Sequence, residues 1–180
     1  MQGIQEMGSG RRIVTKKWRE KGSMIGQYFY SECNQQFMPH FNFMKDIDLL
    51  PSEEYFFRAA IHIVEVPEIL QKGDFVHAIA VLYDAMINAM RFSVVQSNIE
   101  PPGEDEEVAK LLDQKFPTEF SFIAFKEEME RVIDGEEPTS NLEDTYHIVK
   151  MIIQELGIPI FESLDQIVAE LGKYGSKNQF

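Results

Sequence analysis

Histidines that lie one helical turn from a carboxylate are the residues of this chain whose spacing could support chemistry. Asp144 precedes His147 by three positions and His62 precedes Glu65 by three, so each pair can share one face of a helix. Di-iron helical bundles hold metal through Glu-x-x-His pairs of a related kind. One interpretation is therefore a metal site formed by Asp144, His147, His62 and Glu65. The alternative, which we favour, is that these histidines are solvated or hydrogen-bonded in the core and hold no metal.

Nucleophilic and cofactor chemistry find little support in the sequence. The single cysteine, Cys33, lies on an apolar helical stripe and has no basic neighbour in sequence to favour its thiolate, which indicates an inert thiol. No Gly-x-Ser-x-Gly motif, phosphate-binding glycine loop or dinucleotide fingerprint occurs. We therefore expect no catalytic residue and no cofactor. One cysteine also excludes an internal disulfide and favours a reducing, cytoplasmic location.

Charge is distributed unevenly along the chain. The formal net charge is −13, yet residues 1–21 hold six basic and two acidic residues, a net of +4, which leaves −17 for residues 22–180. The basic residues are Arg11, Arg12, Lys16, Lys17, Arg19 and Lys21. Such an arm could bind an external phosphate-rich ligand, or it could pair with acidic surfaces of its own chain or of a partner. We favour the second interpretation, because the acidic surface is always present and the overall charge repels nucleic acid.

Composition and periodicity predict an all-α protein. The chain has 180 residues, of which 44% are hydrophobic and 26% charged, the balance of a soluble globular protein. It has no run of 18 apolar residues, so we expect no membrane-spanning segment. Apolar spacing and helix start and stop residues predict helices over residues 14–37, 52–71, 75–95, 104–114, 117–133, 140–156 and 159–171. Pro67 should kink or split the second of these.

The predicted architecture is a single-domain bundle of about six or seven helices around a central apolar helix, Phe75–Val95. The domain spans residues 13–173, between a flexible start (1–12) and a polar tail (174–180). The loop around Pro101-Pro102-Gly103 is a candidate hinge, and the aromatic segment from Tyr28 to Phe43 is a candidate subunit interface.

The run ILQKGDFVHAIAVLYDAMINAM, residues 69–90, resembles the second-helix region of HEPN-type helical domains. The matching positions are Gly73, Asp74, Phe75, Ala78, Tyr83 and Ala85. The resemblance implies an antiparallel helical bundle, frequent homodimerisation and, in some members, pairing with a nucleotidyltransferase. Many members are RNases with Arg, four to six residues, and then His. Here only three residues separate Arg58 from His62, so this pair departs from the motif.

These observations predict a non-catalytic, cytoplasmic helical-bundle protein that acts through protein–protein contact, as a homodimer. One alternative is an HEPN-like RNase or toxin–antitoxin component that uses Arg58 and His62. In that case the basic arm would bind RNA. The other alternative is the metal-binding bundle.

Overall fold

The computed structural model describes residues 49–117 and 120–175, and within these ranges it contains six α-helices and no strand. The helices are α1 (Pro51–Gln71), α2 (Phe75–Gln96), α3 (Asp105–Lys115), α4 (Phe122–Ile133), α5 (Leu142–Glu155) and α6 (Leu164–Gly175). The all-α, multi-helix prediction is confirmed. The basic arm, the first predicted helix, Cys33 and the aromatic candidate interface lie outside the described residues. Helix α6 ends two residues inside the segment predicted as a tail.

Helix α2 is the centre of the bundle. Every residue from Ala78 to Met90 is buried, and the helix packs against α1, α3, α4 and α5. Such burial stabilises the fold by about 1.5–3 kcal/mol for each large apolar side chain. By length and composition α2 could cross a membrane, but 72% of its most apolar window is buried inside the bundle, as expected of a core helix.

The start of α1 depends on a proline and a glutamate. Ser52 has a side chain suited to a helix cap, but the cap position lies two residues earlier, at Leu50, and Pro51 begins the helix. Proline suits that position because its φ is already helical and it has no N–H to satisfy. The Glu53 carboxylate then accepts a hydrogen bond from the Leu50 N–H at 2.8 Å.

Two further prolines were predicted to start helices and do not. Helix α4 begins at Phe122 rather than Pro117, because Ser121 and the Asp113 carboxylate of α3 accept the first N–H groups of α4. Helix α6 begins at Leu164 rather than Pro159, where the Ser163 hydroxyl accepts the N–H of Gln166. The start of each of these two helices is therefore set by side-chain oxygens that accept the N–H groups of its first turn.

The predicted effect of Pro67 also needs correction. Pro67 does not split α1, which continues to Gln71; the proline is exposed, while Val66 and Ile69 beside it are buried in the core. On α4, Phe125 and Met129 are buried, whereas Ile123 is 40% exposed.

The candidate hinge loop after α2 is anchored by one arginine. Arg91 donates to the carbonyls of Pro102 and Gly103, and its Nη2 lies 2.7 Å from Asp105 Oδ1. The arginine therefore holds the loop against the end of the central helix.

Candidate functional site

An acidic cleft of about 650 Å³ lies where the α1–α2 turn meets the loop after α4 and the start of α6. Five carboxylate side chains and one lysine line it, together with an apolar floor. The acidic residues are Glu65, Glu68, Asp74, Glu136 and Glu137; the lysine is Lys72; the larger apolar residues are Ile69, Phe75, Val76, Val132 and Leu164. We refer to this feature as the acidic cleft.

A tight turn forms one wall of the acidic cleft. Gly73 adopts φ +70°, which lets the chain reverse between α1 and α2. Asp74 then caps α2, its Oδ1 accepting the His77 N–H at 3.2 Å. Lys72 Nζ lies 2.6 Å from Glu68 Oε1 across one helical turn. The C-terminal end of α1 adds negative partial charge to this wall through the helix dipole.

Glu128 holds the opposite wall in place. This buried carboxylate of α4 accepts hydrogen bonds from the backbone N–H and hydroxyl groups of both Thr139 and Ser140. Burial raises the pKa of Glu128, but these four hydrogen bonds outweigh it and hold the pKa below its usual value. The loop that contains Glu136 and Glu137 is therefore held against α4 by hydrogen bonds to the Glu128 carboxylate.

Glu65 is the acidic residue set deepest in the cleft wall. Its Oε2 atom is buried and has no hydrogen-bond partner among the described residues. Burial raises the pKa of Glu65 to about 7; His62 lowers it and Glu68 raises it further. The carboxyl is therefore close to half protonated at neutral pH, whereas an ordinary glutamate is ionised.

His77 is a partly buried histidine at the start of α2, on the same cleft. Burial lowers the pKa of His77, against the opposing effect of Asp74, whose Oδ2 lies 3.9 Å from His77 Nδ1. Neighbouring positive charge at Lys72 lowers the pKa further. The imidazole is therefore predominantly neutral at pH 7, and it does not offset the negative charge of the cleft.

Behind the cleft, α1 and α2 share a buried polar network. His62 Nε2 lies 2.8 Å from Asp84 Oδ2, and the Asn88 side chain donates to both the Asp84 Oδ2 and the Asp84 carbonyl. All three residues are buried. The favoured interpretation of His62, a histidine hydrogen-bonded in the core, agrees with this geometry.

The structure does not join the four candidate metal ligands into one site. Asp144 and His147 are exposed on α5, whereas His62 is buried against Asp84 between α1 and α2. Within the described part of the chain, no group of three or more His, Cys, Asp or Glu side chains is arranged to hold a metal ion. The four-ligand alternative finds no support in this arrangement, because the two pairs lie on different helices, one at the surface and one against the core.

Each residue of the candidate RNase pair contacts a carboxylate, Arg58 at the partly exposed surface of α1 and His62 in the core. Arg58 Nη2 lies 2.5 Å from Glu54 Oε1, and His62 is 1% exposed. A nucleic-acid 2′-hydroxyl cannot reach this imidazole in the conformation described. The HEPN resemblance and the RNase alternative stay predictions.

The chain was compared with protein-family models, with curated proteins and with solved structures, and none of the three comparisons finds a match.

Sequence reasoning named Glu65 only as a metal ligand and missed the acidic cleft. Its walls come from three stretches of the chain, residues 65–77, 132–138 and 164. The one local signal was the adjacent pair Glu136-Glu137 after the glycine that follows α4, which places two charges in a turn.

Proposed function

We propose that this protein is a non-catalytic interaction module whose acidic cleft binds a cationic segment of a partner protein. The observation that carries the proposal is the acidic cleft itself, a concave site of about 650 Å³ with five carboxylate side chains against one lysine. A cavity of this size accommodates several side chains of a bound segment.

The composition of the cleft favours lysine or arginine side chains over a simple cation. Apolar residues of the floor, such as Ile69, Val132 and Leu164, can pack against the aliphatic part of a long basic side chain. The carboxylates of Glu136 and Glu137, both exposed, can then pair with its charged end. Homodimerisation, expected from the sequence, is a separate part of the proposal, tested by light scattering of the purified chain.

The proposal is tested with a fluorescein-labelled hexa-arginine peptide, whose anisotropy reports binding to the full chain, and with hexa-glutamate as the control probe. The double variant Glu136→Gln/Glu137→Gln should weaken binding by about 3- to 10-fold, because two exposed charge pairs contribute roughly 0.2–1 kcal/mol each. Raising the salt concentration should weaken it further.

A matched control comes from the opposite end of α2. Glu100 and Glu104 are exposed and lie in the loop after α2, which Arg91 anchors. Arg91 is 14 positions after His77 of the cleft, about 21 Å along the helix. Glu100→Gln/Glu104→Gln changes the net charge equally and should leave binding unchanged. Equal weakening by both double variants would show attraction to overall charge and contradict a cleft site.

A further inference from the structure

We infer that, in the absence of a partner, the acidic cleft is occupied by the chain's own basic arm, Arg11–Lys21, which competes with external cationic segments. The inference rests on the proposed function, because it assigns the first occupant of the same cleft. The arm has six basic residues within eleven positions, while residues 22–180 have a net charge of −17. This is the strongest charge contrast in the chain, and the cleft gathers five of the opposing carboxylates.

The arm can reach the cleft within one chain. Lys21 is separated from Pro51, the first residue of α1, by 29 residues, which span up to about 100 Å if extended and about 44 Å if wholly helical. From Pro51 to Glu65, at the cleft, α1 rises about 21 Å. Either length exceeds the distance that the chain must cover.

Docking within one chain is favoured over docking between copies. A segment of the same chain meets the cleft at an effective concentration set by the intervening residues, whatever the protein concentration. A second copy competes only when the protein concentration reaches that effective concentration.

The residues of the arm match both parts of the cleft. Its lysines and arginines suit the carboxylates of Asp74, Glu136 and Glu137, and its central Trp18 suits the apolar floor, where Phe75 is 42% exposed. Trp18 is also the only tryptophan in the chain, so its fluorescence reports on the arm alone.

The first test measures acrylamide quenching of Trp18 in the full chain. Glu136→Gln/Glu137→Gln should raise the quenching constant about twofold, because the arm leaves the cleft, and Glu100→Gln/Glu104→Gln should not change it. Equal responses to the two double variants would overturn the inference. A quenching constant that falls with protein concentration would assign the arm to a second copy, and protection only upon adding a poly-uridine RNA would assign it to nucleic acid; either result overturns it.

The second test separates this inference from the proposed function. A full-length variant with the six basic residues of the arm replaced by Gln should bind labelled hexa-arginine about tenfold more tightly than the native chain. Equal binding by both chains overturns competition by the arm and leaves the proposed function standing. Binding by neither chain overturns the proposed function, and the inference falls with it.

Discussion

Replacing Glu65 with glutamine should stabilise the protein at alkaline pH and have little effect at acidic pH. Burial raises the pKa of this carboxyl from 4.5 to about 7 in the folded state. The folded state therefore favours the protonated form, and stability is lost as the pH rises from the unfolded value through the folded one. Glutamine has nearly the same shape and carries no charge, so it removes this loss.

The magnitude follows from the pKa difference. A shift of about 2.5 units corresponds to about 3 kcal/mol at pH 8.5, where Glu65 is ionised in both states. At pH 5 the corresponding penalty is below about 1 kcal/mol. We therefore expect the free energy of unfolding of Glu65→Gln, relative to the native chain, to increase by about 2–3 kcal/mol between pH 5 and pH 8.5.

Urea denaturation followed by circular dichroism at 222 nm measures this difference. With a denaturant slope of about 2 kcal/mol per molar, the unfolding midpoint of the variant should exceed that of the native chain by about 1.5 M at pH 8.5. Measuring in 0.5 M salt screens surface charges, including the ion pairs inferred for the basic arm at the cleft, more than the buried carboxyl. His77, whose pKa is lowered by burial, is present in both chains and cancels from the comparison.

Glu127→Gln is the matched control, because Glu127 is exposed on α4 and its replacement removes the same single charge. Its effect on stability should be within about 0.5 kcal/mol and nearly the same at both pH values. If Glu65→Gln shifts the midpoint equally at pH 5 and pH 8.5, Glu65 ionises in the folded state as easily as in the unfolded state. The argument from burial is then refuted.

Two further substitutions test the interior contacts. Asp84→Ala should destabilise the fold by about 3 kcal/mol, because the buried His62 and Asn88 side chains each lose an acceptor, and Tm should fall by about 6–12 °C. Asp84→Asn keeps an acceptor and should lower Tm clearly less. Equal decreases in Tm for the two variants would contradict the hydrogen-bond network. Glu128→Ala should destabilise the fold by about 3 kcal/mol at pH 7, because the hydrogen bonds from Thr139 and Ser140 are lost. Because the pKa of Glu128 is lowered in the folded state, its contribution is complete above about pH 4.5 and is lost as the pH falls through the folded value. The urea midpoints of the variant and the native chain should therefore converge as the pH falls below about 4.5. If the difference between the midpoints does not change with pH, the ionised Glu128 carboxylate is not the acceptor that stabilises the loop.

Local rules predicted the central helix well, since the features that define α2 lie within its own sequence. Asp74 caps its first turn, and the stretch from Ala78 to Met90, apolar apart from Asp84 and Asn88, favours burial on every side. Helix starts at Pro117 and Pro159 were predicted less well. The acceptors that decide the start of α4 include a carboxylate of another helix, Asp113, and no periodicity within α4 reveals it.

The candidate site was beyond sequence reasoning for the same physical reason. Helical spacing paired His62 with Glu65, three positions away, although the hydrogen-bond partner of His62 is Asp84, 22 positions along the chain on the neighbouring helix. The acidic cleft likewise joins Glu65 to Glu136, 71 positions later in the sequence. Helix–helix packing creates both contacts, and no pattern in one segment contains them.

The placement of Glu65 itself argues that the acidic cleft is a binding site. A carboxyl with a buried oxygen that has no hydrogen-bond partner in the described part of the chain, beside four other acidic side chains, works against the stability of the fold. The same chain satisfies Glu128 with four hydrogen bonds and Asp84 with two side-chain donors, so it can accommodate buried acids. Residues that oppose local stability without compensation are concentrated at functional sites. A cationic side chain bound beside Glu65 would lower the pKa of its carboxyl and offset the destabilisation. Binding would therefore also increase the free energy of unfolding.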